Sequence, residues 1–201
     1  MIGPGAHYSA RETSVDLEVR TVSVELYAFD CGQLTMPTGT FLENEEGIMT
    51  VPVPAFLIRH PKGCVLFDSG LHDELRADPL DYFGQELNAL VTVHYRKDEA
   101  IESCLSEIDF DVSDISFLVN SHLHFDHCGG NCFVDATGNL VPTFVNAEYL
   151  VDRNEFVYAQ EPDVRSRPSY LAWTWEPVAA NGQLSLTEPA AELAEGVEGF
   201  P

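Results

Sequence analysis

Lysine is nearly missing from this 201-residue chain: Lys62 and Lys97 are its only two. Ten Lys+Arg stand against 33 Asp+Glu, for a formal net charge of −23. Such a surface repels phosphate backbones, so nucleic acid is not an expected partner. Solubility, or a salt-rich habitat, accounts for the acidity. Long apolar runs are also missing. None approaches the roughly 20 residues that a membrane-spanning helix needs, and Met1–Arg20 holds no apolar stretch of the secretory type. No membrane partner and a cytoplasmic location are the expectation. Cysteine is sparse and odd in number: Cys31, Cys64, Cys104, Cys128 and Cys132 are scattered, which argues against a disulfide framework. Repeats, heptads and low-complexity tracts are absent.

Hydrophobic residues make up 45% of the chain, enough for one domain with a sizeable core. Residues 1–20 read as a flexible leader of Gly, Pro, Ser and charges, with His7 a solvated tail residue. Thr21–Phe29 alternates like a half-buried strand, and Asp30–Glu46 reads as loop. Val51–Ile58 is a strand whose Pro52 and Pro54 push it toward a sheet edge or a bulge. His60–Gly63 is a turn. Gly63–Phe67 is a strand that ends in the corner Asp68-Ser69-Gly70. Two readings of Asp68 stand side by side: a turn cap, or a buried carboxylate that fixes a nearby loop.

Leu71–Tyr95 is mixed, with a helical patch near Leu87, Leu90 and Val91. Tyr82 and Phe83 lie there as candidate substrate contacts, with core packing as the alternative. His72 and His94 lack a partner at ligand spacing and read as non-metal residues. Asp98–Ile108 is an amphipathic helix capped by Asp98, with Cys104 in its apolar stripe. Ile115–Asn120 is a buried strand. Further on, Thr143–Asn146 reads as strand, Ala147–Tyr158 as helix, Trp173–Val178 as a weak strand and Gln183–Thr187 as strand.

Directly after the strand Ile115–Asn120, three of the seven histidines fall within six residues: Ser121-His122-Leu123-His124-Phe125-Asp126-His127-Cys128-Gly129-Gly130. Imidazole and carboxylate are ligands for zinc, iron and manganese. His122 and His124 are two apart, so in extended backbone they point to one side and can share an ion. Asp126 and His127 follow where the chain turns, and can address a second ion. Two adjacent divalent ions make hydroxide available at neutral pH and polarise the attacked oxygen. Asp126 can carry the proton from nucleophile to leaving alkoxide. The Gly129-Gly130 pair is expected to supply a sharp turn. Cys128 and Cys132 flank the site; Cys128 reads as a small residue filling space behind the loop, with thiolate ligation by the pair as the alternative.

This His-x-His-x-Asp-His pattern resembles the metallo-β-lactamase fold superfamily, and Asp68-Ser69-Gly70 resembles that family's Asp-Thr-Gly corner. Ser121–His127 followed by Gly-Gly-Asn, with Leu26-Tyr27, Pro52-Val53-Pro54 and Asn146–Tyr149, most resembles the N-acyl homoserine lactonase group. The resemblance implies an α/β fold of the αββα sandwich type. It implies two zinc ions, the first on His122 and His124 and the second on Asp126 and His127. The implied reaction opens the lactone ring of a small-molecule N-acyl homoserine lactone, silencing a quorum signal. The alternatives are another ester or thioester hydrolase of the same fold, or a non-catalytic metal-binding fragment. The family pattern continues to a further His, then an Asp and another His, whereas no His follows His127 here. The expectation is therefore that residues 21–201 form the N-terminal portion of one such domain, with an incomplete site. The resemblance leaves the oligomeric state open.

Overall fold

A computed structural model describes residues 24–188 and the backbone of 192–194 and 197–198. The expected leader, residues 1–20, lies outside the described residues. In chain order the strands are β1 (Glu25–Pro37), β2 (Ile48–His60), β3 (Gly63–Phe67), β4 (Thr92–His94), β5 (Ile115–Asn120), β6 (Cys132–Val134), β7 (Leu140–Pro142), β8 (Glu148–Asp152), β9 (Leu184–Thr187), β10 (Glu192–Ala194) and β11 (Val197–Glu198). The helices are α1 (Pro79–Leu90), α2 (Ile101–Ser106), α3 (Phe125–Cys128), α4 (Arg153–Gln160) and α5 (Glu176–Ala180). No helix among the described residues is long and apolar enough to cross a membrane.

Seven strands form one mixed sheet in the order β4-β1-β2-β3-β5-β8-β9. The β4–β1–β2–β3 half is antiparallel, and β3, β5, β8 and β9 run parallel. Parallel strands need both faces covered, and their sequences show it. Leu66, Leu118 and Tyr149 join the main core with Phe83 and Leu87 of α1 and Ile101 and Leu105 of α2. Their neighbours Val65, Val119 and Leu150 form a separate cluster with Ile58, Phe67 and Phe117. The period-two alternation assigns these two sets to opposite faces of the sheet.

Several elements differ from the sequence reading. β1 does not stop at Phe29 but continues to Pro37 through a register shift between Asp30 and Gln33. β2 is interior, not an edge; Pro54 and Pro52 sit opposite Asp30 and Gln33, at that bulge, and β3 pairs with β2 only from Phe56 onward. The prolines thus fall where a regular ladder is already interrupted. Asp98 does not cap α2, which starts at Ile101; its carboxylate bonds the Arg96 guanidinium at 3.1 Å instead.

Glu148–Asp152 is a strand rather than the start of a helix. Tyr149, Leu150 and Val151 are all buried, because a central parallel strand has two apolar faces. The helix begins only after Asp152, whose carboxylate accepts from the backbone N–H groups of Asn154 and Glu155. Residues 143–146 are the turn before it, and Trp173–Val178 holds a 3-10 turn and α5 rather than a strand.

Candidate metal centre

The three parallel strands β3, β5 and β8 end side by side, and each delivers a polar group at its carboxyl end. In open α/β sheets ligands bind outside these ends. β3 delivers Asp68, β5 delivers the histidine loop, and β8 leads into α4 with Glu155.

Alternation orients the loop. Leu123 is fully buried with Val151, Ala159 and Trp175. Phe125 is 3% exposed and packs on Phe83, with ring centroids 4.7 Å apart. Burying each of these side chains is worth about 1.5–3 kcal/mol. With Leu123 and Phe125 held inward, His122 and His124 between and before them face outward together. Their rings lie 4.4 Å apart, and His122 and His127 lie 4.0 Å apart. The Leu123 N–H donates to Glu155 Oε1 at 2.8 Å, tying the loop to α4.

Asp68 is 3% exposed and takes φ 60°, a left-handed conformation rare for a non-glycine residue. Its Oδ1 accepts from the Ser121 N–H at 2.7 Å, and its Oδ2 accepts from Ser121 Oγ at 2.8 Å and His127 Nδ1 at 2.7 Å. A carboxylate only accepts, so His127 carries its proton on Nδ1. Ser121 has one hydroxyl proton, and it points to Asp68. His122 Nδ1, 3.0 Å from Ser121 Oγ, is then the donor to that oxygen. One buried carboxylate thus sets the tautomer of two histidines, directly and through Ser121, and leaves each Nε2 free to bind an ion.

A second buried network holds the backbone. Ser69 Oγ donates to Asn131 Oδ1 at 2.8 Å, and Asn131 Nδ2 donates to Asn120 Oδ1 at 2.9 Å. The Ser69 N–H donates to the His127 carbonyl at 2.8 Å. Gly129 and Gly130 serve this contact and not a sharp turn, since Gly129 has helical dihedrals, φ −61° and ψ −40°. A Cβ on Gly129 would stand 2.7 Å from the His72 nitrogen, and one on Gly130 would overlap the Ser69 carbonyl. The pair lets the loop lie against the Asp68–Leu71 corner.

Electrostatics keep two histidines ready as ligands. Burial, with the neighbouring histidines, lowers His124 to about 3 and lowers His122 as well. Burial alone would also lower His127, but its bond to Asp68 and the charges of Asp126 and Asp68 outweigh it, so His127 is raised. Its Nε2 lies 3.5 Å from Asp126 Oδ2. The neutral Nδ1–H form offers Nε2 to an ion, and the raised His127 favours a second proton there at lower pH, which couples binding to pH. The donors, three imidazoles and a carboxylate in ligand-ready tautomers, fit a divalent ion in kind. Among the described residues, no three His, Cys, Asp or Glu side chains stand placed to hold an ion together.

The remaining candidates fall as follows. Cys128 and Cys132 are buried behind the loop and both bond Thr174, Cys128 Sγ to its Oγ1 at 3.0 Å and Cys132 Sγ to its carbonyl at 3.4 Å. Tyr82 stacks edge-on against Trp173 at 4.4 Å, and its buried hydroxyl has no hydrogen-bond partner. Phe83 lies 7% exposed behind Phe125. His60 accepts from the Lys62 N–H, and His94 bonds Thr35. His72 is buried beside Tyr82. Sequence reasoning passed over Ser121, Glu155 and Tyr170, whose ring lies 4.6 Å from His124. Asp152 followed three residues later by Glu155 is a helix-start signature that would have drawn attention to Glu155.

The sequence model of the metallo-beta-lactamase superfamily matches residues 49–188. N-acyl homoserine lactonase AttM of Azorhizobium caulinodans is 32% identical over 150 residues, 74% of this chain and 53% of that protein. The chain spans about half the length of the curated relatives it matches. A solved N-acyl homoserine lactone hydrolase with N-hexanoyl-L-homoserine bound at its catalytic metal centre aligns with TM-score 0.67 and 22% identity. The alignment covers 89% of this chain and 64% of that one. AidC, a dizinc quorum-quenching lactonase, aligns with TM-score 0.61 and 16% identity, covering 86% and 60%.

Proposed function

The chain belongs to the metallo-beta-lactamase superfamily, and on that premise we propose that its histidine loop is one side of a two-zinc centre that opens N-acyl homoserine lactones. The single observation that carries this reading is Asp68 engaging Nδ1 of His127 directly and Nδ1 of His122 through Ser121, which leaves Nε2 of each as the nitrogen for an ion. The similarity to AttM and the fold shared with lactone hydrolases support the substrate class. AidC, described as a dizinc enzyme, supports zinc. His122 and His124 would hold one ion and Asp126 and His127 the other, with further donors from beyond these four residues. When bound, the ions supply Lewis acidity toward the lactone carbonyl and an activated water at neutral pH.

The chain's own residues do the rest. Leu123 and Phe125 hold the loop rigid, and Asp68 fixes ring orientation. Asp126, half-buried beside His127, accepts the nucleophile's proton and returns it to the leaving alkoxide oxygen. The acyl chain runs along α1, where Tyr82 and Phe83 lie. The cytoplasm, with its reduced thiols, suits five unpaired cysteines.

The test is acid release from N-acyl homoserine lactones, compared with thioesters, alongside zinc content by elemental analysis. Lactone opening that tracks zinc content supports the reading. A clear preference for thioesters would sink the lactonase assignment and leave the metal centre standing.

A further inference from the structure

Beside α1 lies a pocket of about 260 Å³ that no residue of the His122–His127 loop lines. Three carboxylates, Glu74, Asp78 and Asp81, line it, and no Lys or Arg stands among its described lining residues. Val134, Leu140 and Trp173 add an apolar side. An acidic rim alone holds only solvated counterions. His72 sets this pocket apart. It is 3% exposed, and its ring meets those of Tyr82 and Trp173 with centroids 5.2 and 5.1 Å away, so the ring stands on the pocket side. Its Nδ1 accepts from the Glu74 N–H at 3.1 Å, so the neutral ring carries its proton on Nε2. That buried donor has no partner, and neither has the Tyr82 hydroxyl beside it. Buried polar groups are normally paired, so a donor left open at a cavity calls for a ligand atom.

We propose that this pocket binds a small quaternary ammonium alcohol, its cation among the carboxylates and the Tyr82 and Trp173 rings, its hydroxyl oxygen on His72 Nε2. A positive charge answers three carboxylates. Aromatic rings attract cations, tryptophan most strongly, and these two rings meet at 89° to form a corner. The alkyl groups on the nitrogen suit contact with Val134 and Leu140. The His72 N–H needs an oxygen, so a bare tetraalkylammonium ion satisfies only part of the site. A phosphate ester of the same alcohol would bring negative charge among the carboxylates, so the free alcohol is the ligand. The site shares only Tyr82 with the residues proposed above for the lactone.

The probe is choline, added at constant ionic strength to the whole chain labelled with nitrogen-15. The chain's two tryptophans, Trp173 and Trp175, report through their indole N–H signals, which Trp173→Phe assigns. The expected result is a saturable shift of the Trp173 signal, larger than that of Trp175. Glu74→Gln combined with Asp81→Asn changes two exposed side chains, leaves the Asp78 cap of α1 in place, and should weaken binding at least several-fold. Glycerophosphocholine, and the neutral isostere in which carbon replaces the choline nitrogen, should each bind several-fold more weakly than choline. No saturable shift in a chain that circular dichroism shows folded overturns the proposal. The neutral isostere binding as tightly as choline, or the double variant binding as tightly as wild type, overturns the cation site. Equal affinity for glycerophosphocholine overturns the free alcohol as ligand.

Discussion

Asp68 and His127 meet at 2.7 Å across 59 residues of chain, one from the end of β3 and the other from the loop after β5. The same carboxylate takes both the N–H and the hydroxyl of Ser121. Asp68→Asn presents one acceptor and an unwanted donor to these three groups. The expected outcome is a loss of about 1–3 kcal/mol in stability, read by urea unfolding. Zinc affinity should fall roughly 10–100-fold, because His122 and His127 lose the partner that orients them. Unfolding and zinc binding both unchanged would remove Asp68 from the site.

His124 has a different place. Its ring touches Tyr170 and His122 and makes no bond to Asp68. His124→Ala therefore tests ligation with little disturbance of the buried network. In a form of the protein that opens lactones, turnover measured by acid release should drop by more than the roughly 10–100-fold that an outer partner costs. Unchanged turnover would exclude this histidine from the mechanism.

The histidine loop was legible in the sequence because its donors are local: spacing along a few residues specifies which side chains share a side. Strands β3 and β5 were legible for a related reason, being short apolar runs bounded by polar residues, and β9 by its alternation of Leu184 and Leu186 with Ser185 and Thr187. What sequence left open depends on distant partners. Whether Asp68 caps a turn or fixes the loop is decided by Ser121, 53 residues away. The run Tyr149–Val151 has no period when both faces are buried, so β8 looked like helix. Gly129 and Gly130 looked like a turn signal. Their use, close approach to the Ser69–His72 backbone, needs the fold to be seen.

That close approach gives its own expectation. Gly130→Ala puts a methyl group against the Ser69 carbonyl, which is backbone and cannot swing aside. Overpacking of this kind costs about 1–3 kcal/mol. Gly39→Ala meets only the Glu45 carbonyl at 3.2 Å and should cost less. Thermal unfolding of the two variants side by side measures the difference. Equal midpoints would show that the loop does not press on the corner.

His72 sets a pH dependence. Burial lowers it to about 4 from an ordinary value of 6.5, against a small opposing pull from Asp73. Its Nδ1 accepts from the Glu74 N–H at 3.1 Å, and its buried Nε2 has no partner. The unfolded chain therefore binds an extra proton between pH 6.5 and 4, so stability rises with pH through this window. Above pH 6.5 the contribution is complete, and at pH 5 about 2 kcal/mol of it is lost. Urea unfolding at pH 7 and pH 5 should show His72→Gln losing less than wild type by about that amount. Identical losses would place the acid sensitivity elsewhere.

Tyr82 and Phe83 are neighbours on α1 with opposite expectations. Phe83 packs on Phe125, directly beneath the outward-facing histidines, and is nearly fully buried. Phe83→Ala should cost about 3–5 kcal/mol and loosen the loop with it. The Tyr82 hydroxyl is buried without a hydrogen-bond partner, so Tyr82→Phe deletes an unsatisfied group and keeps the ring against Trp173. Stability should then be unchanged or higher by up to about 1–3 kcal/mol, the cost of such a group. If that hydroxyl is reserved for substrate, the stabler variant will show a raised KM for the lactone with kcat little altered. A variant that is stabler and binds the lactone as before would assign Tyr82 to packing alone.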